Sequence, residues 1–168
     1  MMRLDFPMAD LLIPKRLTIE TIYGCNASCV MCPIDLATPR KKGIMPLQTS
    51  RAILDELAPY AARIDMVDLF GLGEPLLDPH LFDRLHHARE RNYRNIAIST
   101  NCDLMLGEKQ DHLLATRIDT VICSIDGAKK ETHERIRRGT HFERIVQNCE
   151  ETIGKRNRGN FPTRFILR

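Results

Sequence analysis

Three cysteines fall within eight residues, in the order Cys25-Asn26-Ala27-Ser28-Cys29-Val30-Met31-Cys32. Thiolate is a soft, anionic donor, the kind an iron–sulfur cluster takes. A loop of this length can wrap a cubane cluster, each sulfur holding one iron corner and the fourth iron left open to a small molecule. Structural zinc is the competing chemistry. It takes four ligands, commonly as two close pairs, and no second tight pair exists here, so a fourth ligand would have to be Cys102, Cys123 or a histidine. Three unrelated buried thiols are a third reading, which the spacing does not favour. Cys102, Cys123 and Cys149 are scattered along the chain; Cys123 and Cys149 read as isolated core or incidental thiols, and Cys102 as a small buried thiol rather than a residue of the rim. Secreted disulfide scaffolds are short and loop-rich. This chain is neither, so its cysteines point to metal chemistry in a reducing, cytoplasmic compartment.

Other groups suited to binding stand in three further motifs: Gly71-Leu72-Gly73-Glu74-Pro75, Thr100-Asn101-Cys102, and Ser124-Ile125-Asp126-Gly127. Each alone also reads as an ordinary turn, because Gly and Pro punctuate loops and Asp bonds its own backbone there. Asp126 and Arg138 are further candidates, Arg138 as a partner for a carboxylate or, equally, as a residue that faces solvent. His86 and His87 are adjacent on a predicted helix, cannot both face one site, and read as structural or surface residues.

The elements that must carry these motifs follow from periodicity. Residues 17–22, 64–70, 94–99, 118–124 and 163–167 read as strands, β-branched and apolar. Between them lie helices: one N-capped at Thr49 and running to Pro59, one opened by Asp78-Pro79, and others at 107–116, 129–137 and 142–153. Such alternation implies a parallel sheet with right-handed crossovers, whose chemistry sits beyond the carboxyl ends of the strands. Every motif named above falls there, on one rim. The expected class is therefore α/β, a partial parallel (β/α) TIM-like barrel truncated after about five strands, with residues 1–16 as an N-terminal extension and 17–168 as the core domain.

Composition narrows the partners. Of 168 residues, 43% are hydrophobic and 28% charged, so the chain can bury a core. A net charge of +3 with scattered basic residues does not argue for nucleic acid, and no apolar stretch has the length of a membrane span. Two short basic runs stand out, Arg40-Lys41-Lys42 and Arg135 with Arg137-Arg138; the first reads as solvated surface.

Taken in order, these motifs resemble the radical S-adenosylmethionine superfamily over residues 17–168. The likeness is nearest to the branch of molybdenum-cofactor biosynthesis enzymes and SPASM-type peptide-modifying maturases, through Ser124-Ile125-Asp126-Gly127, His133, Arg138-Gly139 and Phe142. The resemblance implies a [4Fe–4S] cluster on Cys25, Cys29 and Cys32, catalytic through the cluster. It implies that Gly73 and Glu74 hold the methionine end of S-adenosylmethionine, that Thr100, Asn101 and Ser124 address ribose or carboxylate, and that Met31 flanks adenine. The implied reaction is reductive cleavage of S-adenosylmethionine to a 5′-deoxyadenosyl radical, which abstracts hydrogen from a small-molecule or peptide substrate. A flavodoxin- or ferredoxin-like protein would supply the electron. The chain departs from the family pattern at Met31, where an aromatic residue is usual, at Cys102, where many relatives have glycine, and in its five strands rather than six. Two alternatives stand beside this reading: a truncated or degenerate fragment that binds cluster and S-adenosylmethionine without turnover, and a non-catalytic zinc-binding module.

Overall fold

The computed structural model describes residues 12–34 and 41–168. Most of the expected 1–16 extension, and Pro39 and Arg40, lie outside the described residues.

Five short strands form one parallel sheet: β1 (Arg16–Thr18), β4 (Met66–Asp68), β5 (Ile96–Thr100), β6 (Thr120–Cys123) and β7 (Arg164–Leu167), in that spatial order. A two-stranded antiparallel ribbon, β2 (Ile22–Tyr23) with β3 (Gly43–Ile44), stands beside it. Among the described residues there are five α-helices, α1 (Leu47–Leu57), α2 (Leu81–Glu90), α3 (Glu108–Ala115), α4 (Lys130–Ile136) and α5 (Phe142–Arg158), and two short 3-10 helices at Ala58–Arg63 and Pro75–Leu77. Each sheet strand is adjacent to the next in sequence, so the sheet winds in one direction as a barrel does. Val67, Ile96, Ile98, Val121 and Cys123 are buried on it, under Leu54, Leu81, Leu85, Leu113 and Ile145 of the helices.

Several boundaries differ from the sequence reading, and three of the differences bear on the site. The first predicted strand divides: Arg16–Thr18 joins the sheet, whereas Ile22–Tyr23 turns away to pair with Gly43–Ile44. That departure lifts the following cysteine loop off the sheet edge. Helix α1 begins at Leu47 after Pro46, and Thr49 lies within its first turn, donating its N–H to the Pro46 carbonyl at 3.0 Å. Helix α2 begins at Leu81. Asp78 acts from outside it, Oδ1 accepting from the His80 N–H at 2.9 Å and Oδ2 from Arg84 Nε at 2.8 Å. Arg84 is fully buried, and its guanidinium also reaches Ser50 Oγ and the Met45 carbonyl, tying α1, α2 and the segment after β3 together.

The two histidines divide as helical geometry requires: His87 is buried with Nε2 2.8 Å from Asp55 Oδ1, and His86 is exposed. His133 and Phe142 pack against each other across α4 and α5, with ring centroids 5.4 Å apart.

Candidate active site

The cysteine loop leaves β2 and is fastened on three sides. Tyr23 Oη donates to the Ile34 carbonyl at 2.9 Å, holding the loop's far end to its start. Ser28 N–H donates to the Arg138 carbonyl at 2.8 Å and Val30 N–H to the Ile136 carbonyl at 2.9 Å, which zips the loop to the end of α4. Gly139 has φ +85°, and a Cβ there would stand 3.2 Å from the Asn26 carbonyl oxygen, so glycine lets the two segments approach.

The third fastening comes from the segment after β4. Glu74 N–H donates to the Gly24 carbonyl at 2.9 Å. A Cβ on Gly73 would lie 2.2 Å from the Ile22 carbonyl oxygen, closer than any side chain can sit. Gly73 is required by this contact.

Glu74 itself is buried. Thr100 Oγ1 donates to its Oε1 at 2.6 Å, Leu76 N–H to the same oxygen at 3.0 Å, and Asn101 N–H to Oε2 at 2.8 Å. Burial raises its pKa above the ordinary carboxylate value, against these hydrogen bonds and the Lys109 charge. The carboxylate thus joins the ends of β4 and β5 beneath the cysteine loop.

Asn101 extends the junction. Its Nδ2 lies 2.9 Å from Asn26 Oδ1 and 3.9 Å from Cys25 Sγ, and its Oδ1 accepts from the Asp103 N–H at 3.0 Å. Asp103, buried, accepts from Asn26 Nδ2 at 3.1 Å and from Arg144 Nε of α5 at 3.0 Å. No periodicity marked Asp103 or Arg144 as part of this arrangement. Asp103 resembles any turn acid in sequence, and its partners come from 77 and 41 residues away.

The nine residues that the resemblance assigns to cluster and S-adenosylmethionine line one cleft of ≈ 270 Å³, open to solvent: Cys25, Cys29, Met31, Cys32, Gly73, Glu74, Thr100, Asn101 and Ser124. Arg137 lines it too. Its Nη1 is 3.9 Å from Cys29 Sγ and its Nε 2.5 Å from Asp126 Oδ2, whereas Arg138 is exposed and meets the loop through its backbone. The turn after α4 decides which of the adjacent arginines faces the cleft: Arg137 does, and Arg138 takes the solvent-facing alternative that the sequence left open.

Burial raises the Cys25 pKa, with the Ala27 N–H (3.4 Å from Sγ) acting against it. Burial likewise raises that of Cys29, opposed by the nearby Arg137 charge. The three loop thiols are half-buried and unpaired by disulfides. Among the described residues, the one trio of potential ligands gathered within 4.8 Å is instead Cys102, Cys123 and Cys149. A single tetrahedral ion with metal–sulfur bonds of about 2.3 Å needs sulfurs about 3.8 Å apart. The wider setting of Cys25, Cys29 and Cys32 on an open cleft suits a larger polynuclear group. Cys102 and Cys123 turn to Cys149 rather than to the loop, so they do not complete a zinc site with it, and Cys123 and Cys149 are not the isolated thiols expected.

Comparison with known proteins bears directly on this cleft. Residues 19–158 match the family described as the Radical SAM superfamily. The chain is 30% identical over 167 residues to the AdoMet-dependent heme synthase of Methanosarcina barkeri, covering 92% of this chain and 47% of the synthase. It is 30% identical over 134 residues to the mycofactocin maturase MftC of Mycobacterium tuberculosis, covering 80% of this chain and 33% of the maturase. Its fold is similar to that of Streptococcus suis SuiB bound to the precursor peptide SuiA, with a TM-score of 0.72 at 19% identity over 90% of this chain and 32% of SuiB. The chain belongs to the radical SAM superfamily. Members of that family bind a [4Fe–4S] cluster and S-adenosylmethionine, and the homologues are enzymes. The chain spans about half or less of the length of the curated relatives it matches.

Proposed function

We propose that Cys25, Cys29 and Cys32 ligate a [4Fe–4S] cluster and that the cleft beside them binds S-adenosylmethionine for reductive cleavage. The carrying observation is that all nine residues, drawn from the cysteine loop and the ends of β4, β5 and β6, converge on one cleft. The bound cofactors would supply one electron to the sulfonium and a 5′-deoxyadenosyl radical that abstracts hydrogen from substrate.

The chain's own residues bind and orient. Three thiolates, once deprotonated, take three iron corners. Glu74 Oε2 keeps one acceptor site for the methionine ammonium, beside the Gly73 backbone. Thr100, Asn101 and Ser124 offer donors and acceptors to ribose and carboxylate, and Ser124 Oγ, 3.4 Å from Ser99 Oγ, is already turned to that strand. Met31, 55% exposed on the rim, can lay its polarizable sulfur on adenine. Arg137, held by Asp126, balances negative charge beside Cys29.

The substrate is a small molecule or a peptide, and the electron donor a flavodoxin or ferredoxin. Peptide is the class favoured by the maturase homologue and the peptide-bound SuiB. No helix among the described residues is long and apolar enough to cross a membrane. Free thiols at the site accord with a reducing cytoplasm.

The test is anaerobic reconstitution with iron and sulfide, reduction, and assay for 5′-deoxyadenosine after adding S-adenosylmethionine. Product formation is expected. A four-iron cluster without product would assign the chain a binding role alone, and zinc in place of iron and sulfide would overturn the proposal.

A further inference from the structure

Away from the cleft, three cysteines that are distant in sequence meet in the core. Cys102 follows β5, Cys123 ends β6 and Cys149 lies in α5, yet their sulfurs all lie within 4.8 Å of one another. Cys102 and Cys123 are fully buried and Cys149 is 5% exposed. Three sulfurs about a pyramidal trivalent centre at about 2.3 Å would be about 3.5 Å apart, so the trio closes on one centre by drawing its sulfurs inward by up to about an ångström.

Two features distinguish the trio from ordinary core packing. Cys102 is held at φ +62°, a conformation glycine adopts freely and L side chains rarely do. The surroundings must enforce it: Asn148 Nδ2 donates to the Cys102 carbonyl at 2.9 Å, and Cys102 N–H donates to Thr100 Oγ1 at 3.0 Å. The strained residue brings the third sulfur to the other two. Second, the thiols act on one another. Hydrogen bonding with Cys123 and Cys149, then burial, holds Cys102 well above the ordinary thiol range, while hydrogen bonds with Cys102 and Cys123 draw Cys149 down. Among the described residues, no lysine, arginine or histidine is paired with these thiols; the Cys102 thiol meets the Thr100 carbonyl at 3.7 Å.

That absence of positive charge selects the ligand. Three thiolates around a divalent zinc leave a net charge of −1, and around cuprous ion −2, in an apolar core where unpaired charge is expensive. Around a trivalent centre the complex is neutral. We propose that Cys102, Cys123 and Cys149 form a binding site for a trivalent thiophile of the arsenite class, held as a neutral tris-thiolate complex. Uptake of arsenous acid breaks three S–H and three As–OH bonds, forms three As–S bonds and releases three waters. No electron is transferred.

The test uses the full chain carrying Cys25→Ser, Cys29→Ser and Cys32→Ser, so that the loop does not compete. It is refolded from denaturant with sodium arsenite under a phosphine reductant, which removes the question of access to a buried site. Expected are one arsenic per folded chain by mass, a sulfur-to-arsenic charge-transfer band in the near ultraviolet, and a raised thermal midpoint. Adding Cys149→Ala or, separately, Cys123→Ala should weaken binding at least 100-fold with the far-ultraviolet spectrum retained. In the chain with its loop cysteines intact, Cys149→Ala should lower the stoichiometry by one. No arsenic on the folded loop variant would overturn the proposal. So would equal retention after Cys149→Ala, or displacement of arsenite by equimolar zinc or cuprous ion.

Discussion

Of the four acceptor sites on the Glu74 carboxylate, three are taken by Thr100, Leu76 and Asn101 of the same chain. The residue is therefore first an organiser of the cleft floor, and in the function proposed above it meets S-adenosylmethionine only through its remaining site. Replacing it with glutamine keeps the shape but removes the charge. Glu74→Gln should weaken S-adenosylmethionine binding about tenfold or more, about 1.4 kcal/mol, with iron content unchanged; equilibrium dialysis on the reconstituted protein measures both. The pH dependence has a definite sign. Because burial raises the folded-state pKa of Glu74, its contribution to stability is present at low pH and lost as pH rises through that value. Ligand binding runs the other way, since the ammonium needs the carboxylate. Affinity should fall on acidification with a midpoint above the ordinary 4.5, and Glu74→Gln should remove that acid limb. At the thiols, Cys29→Ala should abolish the cluster's visible absorbance and leave the far-ultraviolet spectrum intact, because the loop stands outside the sheet. Full absorbance in that variant would refute the ligand assignment.

At the scale of elements, the cleft depends on backbone approaches that few residues permit. In Gly73→Ala the new methyl would sit 2.2 Å from the Ile22 carbonyl oxygen and 2.9 Å from that of Gly24, so either the segment after β4 or the start of the cysteine loop must move. Overpacking of this kind costs about 1–3 kcal/mol. A lowered urea midpoint together with reduced iron uptake is expected; an unchanged midpoint would mean that the segment shifts freely. Strand positions and the rim that carries the motifs were legible because parallel strands buried on both faces read as short β-branched runs, as 94–99 and 118–124 do. What escaped was set by tertiary contacts. The break after β1 depends on pairing between Ile22–Tyr23 and Gly43–Ile44, twenty residues on. The extension of α5 to Arg158, beyond the expected 153, places Lys155, Arg156 and Arg158 in its last turn, where they favour the carbonyl end of the helix. Asp103, Arg137 and the core thiol trio became visible only once strands 20 or more residues apart lay side by side.

At the scale of the whole molecule, the parallel sheet of the described residues has two edges. β1 lies at one end and β7 at the other, each with a single neighbour. The match to the superfamily over residues 19–158 covers the cysteine loop through α5, so the cofactor-facing rim falls within the matched region. The β7 edge is a separate matter. It presents Ile166 at 38% and Leu167 at 65% exposure, beside backbone groups with no second strand to pair with among the described residues. Exposed apolar edges template pairing with another chain, and natural proteins blunt them with charge, especially lysine. β7 has Arg164 at its start but no charge within its last three positions, Phe165, Ile166 and Leu167. In this chain of 168 residues that edge should drive association that grows with concentration. Ile166→Lys places a charge at the middle of the exposed segment while leaving Phe165 packed on the core. The variant should scatter less light than the unmodified chain at equal concentration, with the same far-ultraviolet spectrum. Undiminished association would locate the contact elsewhere, with Val30, Met31 and Leu72 near the cleft rim as the next exposed apolar residues to replace.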